Sequence, residues 1–295
     1  MSHLKNLLIL GLAVMAGCRP QAAAPEAAVK SYSVRGVVRQ IADDRQTATI
    51  QHEAIPGYMA AMTMDFSVKN TNELNGISAA DQITFKLMVG ETDSWVEGVQ
   101  LVAHHTETAV TNAPPVQASV VDLKPGDPLP DGELMMEDGN HARLSDFRGR
   151  AVALTFFYTR CPLPDYCPRM NKNFAEARQL LLSAPDAPTN WLLLSLSFDA
   201  DFDNPQVLTG YARLYRNDDT KHWLFAAAPS DSLARLAPGL DLMIMRNGGN
   251  IQSHNLRTVV LDPLGRIYRQ FDGNEWTPQQ LADALRQAAR APAQP

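Results

Sequence analysis

Two cysteines, Cys161 and Cys167, lie at a predicted turn between a buried strand and a helix. The apolar run at 151–158 predicts the strand, and Pro168 predicts the first turn of the helix. Backbone N–H groups and the helix dipole at such a turn favour the thiolate form of cysteine. A pair of thiolates either exchanges electrons as a disulfide or binds a soft metal ion.

The C-terminal part of the chain alternates between predicted strands and helices. Strands are predicted at 151–158, 191–197 and 223–228, and helices at 170–183, 205–215, 231–236 and 277–290. A hairpin is predicted around Asp262-Pro-Leu-Gly265, and Thr277 followed by Pro278 predicts the start of the last helix. This alternation predicts a central sheet that helices cover on both faces.

A Pro-, Thr- and Ala-rich stretch at 105–119 predicts a linker between two domains, 31–104 and 120–295. The smaller domain is rich in alternating β-branched residues, which predict strands at 32–41, 47–52, 82–89 and 95–102. Four or five strands in so short a region predict a small all-β barrel, because closure removes exposed strand edges.

The N-terminus predicts export. Lys5 precedes a short apolar stretch that ends in Met15-Ala-Gly-Cys18, which resembles the lipobox of a bacterial lipoprotein. The resemblance implies a signal peptide at 1–18, a lipidated Cys18 that holds the protein at a membrane, and a flexible tether at 19–30. The alternative is an ordinary cleaved signal with an unrelated cysteine, which also predicts an exported protein.

Charge and cysteine content exclude two classes of protein. A net charge of −6 without a basic patch argues against a nucleic-acid partner. Three cysteines are too few for a disulfide scaffold, so Cys18 and the pair at 161 and 167 have separate roles.

The larger domain resembles the Sco/SenC family of copper proteins. The resemblance is carried by these segments: Leu144-Ser-Asp-Phe-Arg-Gly149, Thr155-Phe-Phe-Tyr-Thr-Arg-Cys161, Cys167-Pro168, Ser195-Leu-Ser-Phe-Asp199 with Asn204-Pro205, and His254-Asn-Leu-Arg-Thr-Val-Val-Leu-Asp-Pro-Leu-Gly265. It implies an α/β thioredoxin-like domain with a copper site formed by Cys161, Cys167 and His254. Thiolates and imidazole suit Cu(I), with Cu(II) as a second state of the same site. His254 is predicted to lie in a Gly- and Asn-rich loop before a strand, from which it can swing to a metal.

The cysteine spacing departs from the family pattern. Five residues separate Cys161 from Cys167, whereas the family usually has three. Two prolines stiffen this segment, so the sulfurs can still meet, but the longer segment is less favourable for both copper and disulfide geometry. The pair therefore also remains a candidate redox-active disulfide of a thiol–disulfide oxidoreductase, although the spacing disfavours a simple Cys-x-x-Cys enzyme.

Asp199 and Asp203 follow a core strand, in the region where the family carries acidic residues. Two interpretations are open: the carboxylates support the metal site, or they belong to a solvated loop in which Asp203 or Asn204 caps the next helix. The second is the expectation here.

A histidine and several methionines form a second unusual stretch, in the smaller domain. Met62 and Met64 alternate, so on a strand they share one face, and they either fill the core or offer thioethers to Cu(I). The stretch resembles the CusF-like periplasmic copper-binding domain, a five-stranded OB-type barrel. The resemblance implies His52, Met62 and Met64 as copper ligands. Met59 stands where one branch of that family has a tryptophan and offers a third sulfur.

Together these features predict an α/β thioredoxin-like domain preceded by a small all-β OB-type barrel, in a membrane-tethered copper chaperone of the bacterial periplasm. By family resemblance the partner is the copper-binding subunit of cytochrome c oxidase, at its dinuclear CuA centre. No enzyme activity is required for copper transfer. The alternatives are a thiol–disulfide oxidoreductase that acts on oxidase or other exported thiols, and a copper resistance or storage protein.

Overall fold

The computed structural model describes residues 29–104, 123–247 and 250–291. The predicted signal peptide with Cys18, most of the predicted tether and the predicted linker lie outside the described residues. None of the helices in the described ranges is long and apolar enough to cross a membrane.

The N-terminal domain is a five-stranded antiparallel sheet. Its strands are β1 (Lys30–Ile41), β2 (Thr47–His52), β3 (Met62–Ser67), β4 (Gln82–Val89) and β5 (Ser94–Ala103), in the spatial order β3-β2-β1-β4-β5. Alternate residues of β2, β3 and β4 are buried, as expected for strands with one face on a core. The edge strands β3 and β5 contact each other without a hydrogen-bonded ladder between them, so the predicted all-β domain is a strongly curled sheet.

The C-terminal domain is built on a seven-stranded mixed sheet in the order β14-β13-β8-β9-β10-β6-β7. Its strands are β6 (Glu133–Met136), β7 (His141–Arg143), β8 (Ala151–Phe157), β9 (Trp191–Ser197), β10 (Trp223–Ala227), β13 (Arg257–Leu261) and β14 (Ile267–Asp272), and a separate hairpin contains β11 (Ile244–Asn247) and β12 (Asn250–His254). Strands β8, β9 and β10 are parallel. Every residue of β8 and β9 is buried, as expected for central strands covered on both faces.

Four helices accompany this sheet: α1 (Cys167–Ser183), α2 (Pro205–Arg216), α3 (Ser230–Leu236) and α4 (Pro278–Arg290). Helices α1 and α4 pack on each other and on the central strands. The predicted start of α4 is confirmed, since the Thr277 side chain accepts a hydrogen bond from the backbone N–H of Gln280 and the Gln280 side-chain oxygen accepts one from the backbone N–H of Thr277.

The structure differs from the sequence prediction in the segment that leads to His254. The predicted Gly- and Asn-rich loop is the antiparallel hairpin β11–β12, in which Ile244 pairs with His254, the last residue of β12. Strand β12 also lies against β3 of the N-terminal domain. The hairpin therefore brings His254 close to both the cysteine turn and the methionine strand.

Candidate metal centres

The cysteine pair lies at the N-terminus of α1, directly after β8. Cys167 is the first residue of the helix and is fully buried, whereas Cys161 is partly exposed in the turn before it. Both are free thiols, and their sulfur atoms are within hydrogen-bonding reach of each other. Helix α1 has no side-chain cap, and the backbone N–H of its first residue, Cys167, donates to the sulfur of Cys161.

The pKa values of the two thiols are shifted in opposite directions. Burial raises the pKa of the Cys167 thiol well above its ordinary value, and its hydrogen bond to Cys161 adds to that rise. Burial acts in the same direction on Cys161, but hydrogen bonds from the Cys167 thiol and from the backbone of Cys167 and Leu163 carry the pKa of Cys161 below its ordinary value. Cys161 is therefore the group that becomes a thiolate first, and Cys167 is the thiol that stabilises it.

His254 lies beside this turn in an aromatic pocket. Its ring packs against Tyr158 at 5.5 Å, Phe198 at 5.2 Å and Tyr166 at 6.2 Å between centroids. Its Nδ1 lies 3.2 Å from the carbonyl oxygen of Asn255, so Nδ1 carries the proton and the lone pair of Nε2 stays available to a metal. Burial lowers the pKa of His254 to about 4, which keeps the ring neutral, as a ligand must be.

The three residues do not form a closed cluster. Among the described residues, no group of three or more His, Cys, Asp or Glu side chains is arranged to hold an ion. The structure brings the cysteines together and places His254 next to them, behind Tyr158 and Tyr166.

Asp199 and Asp203 are buried, so the expectation of a solvated loop is wrong. The Asp199 carboxylate accepts a hydrogen bond from Nη2 of Arg160 at 2.6 Å and lies 3.5 Å from Nη1 of Arg246 on β11. Asp203 accepts hydrogen bonds from the backbone N–H of Thr159 at 3.0 Å and from the Thr159 hydroxyl. Burial of Asp203 raises its pKa in spite of these hydrogen bonds.

The carboxylates therefore fix the two residues that precede Cys161, and Asp199 also ties the β11–β12 hairpin to them through Arg246. The predicted cap of α2 is Asn204 rather than Asp203, since the Asn204 side chain accepts a hydrogen bond from the backbone N–H of Val207. Sequence reasoning missed Arg160 and Arg246. Adjacency to Cys161 is the only signal that marked Arg160, and no sequence signal marked Arg246.

The second candidate centre lies where β2 and β3 pair. His52 is directly opposite Met62, and Met62 and Met64 share the buried face of β3. Met59 is also buried and closes the turn that begins at Ile55, whose N–H donates to the Met59 carbonyl at 2.8 Å. Gly57 allows this tight turn because its φ of 73° is costly for other residues.

His52 has an unpartnered nitrogen. Its Nδ1 donates to the carbonyl oxygen of Glu53 at 2.7 Å, and its Nε2 is buried without a hydrogen-bond partner. Burial lowers the pKa of His52, so the ring is neutral and Nε2 presents a lone pair. A buried lone pair beside the thioethers of Met62 and Met64 is a donor set that fits Cu(I).

A cleft between the domains separates two methionines of one candidate centre from the neighbours of Cys161 in the other. The cleft has a volume of about 150 Å³, and Met59 and Met62 line it on the N-terminal side. Arg160 and Pro162, the two neighbours of Cys161, line it on the other side together with Tyr158.

Comparison with protein families assigns both domains. The model of the SCO1/SenC family matches residues 129–290, which is more than half of the chain. The chain belongs to the SCO1/SenC family. The model described as copper binding periplasmic protein CusF matches residues 31–101. The predicted family and the predicted thioredoxin-like fold class of this SCO1/SenC protein are therefore confirmed, together with an all-β domain before it.

Solved structures similar to this SCO1/SenC protein cover just over half of its chain. ScoI of Arabidopsis thaliana with copper bound is 17% identical, covers 55% of this chain and 98% of its own, and has a TM-score of 0.47. A SCO1/SenC family lipoprotein of Bacillus anthracis is 19% identical, with 57% and 98% covered and a TM-score of 0.49. Apo Sco1 of Thermus thermophilus is 25% identical, with 57% and 90% covered and a TM-score of 0.42. A comparison with curated proteins found no match.

Proposed function

We propose that this protein is a copper chaperone of the bacterial periplasm, held at a membrane by a lipid on Cys18. Its N-terminal domain captures Cu(I) with one imidazole and two or three thioethers, from His52, Met62, Met64 and Met59. Its C-terminal domain holds copper with Cys161, Cys167 and His254. The client is the copper-binding subunit of cytochrome c oxidase, at its CuA centre. Copper moves by exchange of one ligand at a time, so no catalytic base is needed.

The observation that carries this proposal is the unpartnered Nε2 of His52 beside buried thioethers. A buried nitrogen without a partner is unfavourable unless something binds it, and its neighbours Met62 and Met64 offer sulfur rather than a hydrogen bond. A soft ion such as Cu(I) accepts both kinds of donor. The match to the copper binding periplasmic protein CusF supports the same ion and the same compartment.

The C-terminal domain contributes a second set of soft donors. The SCO1/SenC match and the hydrogen-bonded thiols of Cys161 and Cys167 support a thiolate copper site, with the neutral imidazole of His254 as the third donor. We propose two states for this site, because the His254 imidazole packs in an aromatic pocket beside the cysteine turn. In one state the imidazole is stored against Tyr158, and in the other it completes the coordination of the ion.

The test is an anaerobic Cu(I) titration of the reduced protein, residues 19–295, against a chromogenic Cu(I) chelator. The wild-type protein is expected to bind two tight equivalents. His254→Ala is expected to weaken one by at least about tenfold, and the double variant Met62→Leu/Met64→Leu to weaken the other by as much. Leucine keeps the buried volume while it removes the sulfur.

Two variants serve as matched controls. His141→Ala removes an exposed imidazole on β7, and Met135→Leu removes a half-buried thioether on β6. Neither is expected to change either affinity. A protein that binds one equivalent, lost only with the methionines and unaffected by His254→Ala, contradicts the proposed C-terminal copper site.

A second candidate function is a thiol–disulfide oxidoreductase. The lowered pKa of Cys161 and the hydrogen bond from Cys167 favour it, because both activate a thiolate for disulfide exchange. His254→Ala distinguishes the two functions, since exchange with a small disulfide needs the thiols and not the imidazole. Loss of copper affinity with unchanged exchange rates supports the chaperone. Unchanged copper affinity in this variant supports the oxidoreductase.

A further inference from the structure

The segment between the two cysteines, residues 162–166, is where the two domains meet. The Tyr58 hydroxyl of the N-terminal domain donates to the carbonyl oxygen of Pro162 at 3.0 Å. The Ser94 hydroxyl donates to Asp165 Oδ1 at 2.8 Å, and the Tyr166 hydroxyl donates to the backbone carbonyl of Asp65 on β3. Three of the five residues in this segment thus hydrogen-bond to the other domain. We call residues 162–166 the docking loop.

The hydrogen bond between Ser94 and Asp165 is buried, and the other two contacts are partly buried. Ser94 is 5% exposed and Asp165 is 4% exposed, so water is excluded from the hydrogen bond between them. A buried carboxylate is unfavourable unless it is hydrogen-bonded, and the N-terminal domain supplies the hydroxyl that satisfies it. On the other side, the Asn274 side chain donates to the Asp165 backbone carbonyl at 2.8 Å and anchors the loop to its own domain.

Docking also determines what faces the cysteines. Tyr58 stacks on Tyr32 of β1 with 4.3 Å between centroids, which fixes the hydroxyl that reaches Pro162. The next residue, Met59, lines the cleft together with Met62, opposite Arg160 and Pro162. Cys161 lies between those two residues and is the more exposed of the two cysteines. The cleft is therefore lined by Met59 and Met62 on one side and by the two neighbours of the more exposed cysteine on the other.

We propose that the docking loop acts as a latch that holds the two copper centres on one cleft, so that Cu(I) crosses it within one chain, from the thioethers of Met59 and Met62 to the thiolate of Cys161. This inference rests on the proposed function. In the step, a bond from the Cys161 sulfur to Cu(I) forms as a thioether bond breaks. A proton that remains on Cys161 passes to water. Copper stays Cu(I), so no oxidant or reductant is needed.

The test separates docking from copper binding. Ser94→Glu places a second carboxylate against Asp165, and like charges in a buried site repel. Ser33→Glu is the matched control, because it makes the same change at an exposed position of β1. Tyr58→Phe is a milder variant that keeps the stack on Tyr32 and loses only the hydroxyl.

The first readout uses the apoprotein. Backbone ¹⁵N relaxation reports whether the two domains tumble as one body or separately. Wild type and Ser33→Glu are expected to give one shared rotational correlation time, Ser94→Glu two shorter ones, and Tyr58→Phe an intermediate result. Separate tumbling of the two domains in the wild type would contradict the latch, whether or not the protein binds copper.

The second readout is the rise of Cu(I)–thiolate absorbance after one equivalent of Cu(I) is delivered to the reduced full chain. Ser94→Glu is expected to slow this rise at least tenfold, and Tyr58→Phe less, with both Cu(I) affinities unchanged. An unchanged rate in a Ser94→Glu protein whose domains tumble separately overturns the proposal. A wild-type protein that binds no Cu(I) overturns the proposed function and the transfer step, whereas the relaxation data still decide whether the latch exists.

Discussion

The Nε2 atom of His52 shows how a single residue can be unfavourable for folding and useful for binding. A buried polar atom without a partner costs about 1–3 kcal/mol of folding free energy, and this nitrogen is such an atom. The rest of the ring is well placed, since Nδ1 donates to Glu53 and the ring contacts the edge of Phe66. The unfavourable part is the Nε2 atom, on a residue that pairs directly with Met62 across the two strands.

We expect His52→Leu to separate these two effects. The variant loses the Nδ1 hydrogen bond and the ring contact but also removes the orphaned nitrogen, so its apoprotein should lie within about 1 kcal/mol of the wild type. Cu(I) should raise the melting temperature of the N-terminal domain in the wild type and not in His52→Leu. Calorimetry with and without Cu(I) measures both quantities. Equal stabilisation by Cu(I) in the two proteins would show that His52 is not a ligand.

Asp199 is a second residue whose role depends on its burial. Its carboxylate is 1% exposed and forms ion pairs with the guanidinium groups of Arg160 and Arg246. One residue thereby fixes both the turn before Cys161 and the hairpin that ends at His254.

Asp199→Asn should therefore loosen both parts of the C-terminal centre. We expect a loss of about 2 kcal/mol in the free energy of unfolding, the size of a hydrogen bond to a charged group. Cu(I) affinity of the C-terminal centre should fall about ten- to a hundredfold, and amides of β11 and β12 should exchange faster with deuterium. Asp201→Asn, the same change at an exposed position two residues away, is the control. Equal effects of Asp199→Asn and Asp201→Asn would show that Asp199 does not support the site.

At the scale of elements, local sequence signals predicted the helices but did not predict the β11–β12 hairpin. Helix α4 begins where Thr277 and Pro278 predict, because capping is a contact between neighbours in sequence. The β11–β12 hairpin was predicted as a loop, since its pairing depends on its position beside β3 and the cysteine turn. The short strands β6 and β7 were missed for the same reason: they are formed by pairing with β10 and with each other.

The capping box of α4 can be tested directly. Thr277→Ala removes the side-chain acceptor for the N–H of Gln280, and the loss of such a cap costs about 1 kcal/mol. Urea unfolding of the C-terminal domain should show this decrease with an unchanged m-value. Gln279→Ala, an exposed position in the first turn, should change stability by less than half as much. A Thr277→Ala protein as stable as the wild type would mean that α4 is held by packing alone.

At the scale of the whole molecule, the sequence marked both sets of candidate donors, but it could not predict that Met59 and Met62 face the neighbours of Cys161 across one cleft. His52, Met62 and Met64 are recognisable because their spacing is local to one hairpin, and the cysteines because they share one turn. The docking contacts join residues that lie between 71 and 104 positions apart, such as Tyr58 with Pro162. No periodicity or motif records such pairs, because each depends on the complete surfaces of two folded domains.

Docking predicts how copper transfer responds to concentration. Two sites held on one chain meet at an effective concentration in the millimolar range, far above micromolar protein in solution. We therefore expect the rate constant for transfer from the methionine centre to Cys161 to stay the same when the full chain is diluted tenfold from micromolar concentration. Transfer between separate chains is second order and would slow tenfold. Stopped-flow absorbance of the Cu(I)–thiolate bond, at several protein concentrations and a fixed ratio of copper to protein, distinguishes the two. A rate that falls in proportion to concentration would mean that copper reaches Cys161 from another molecule, and that the cleft between the domains is not the route.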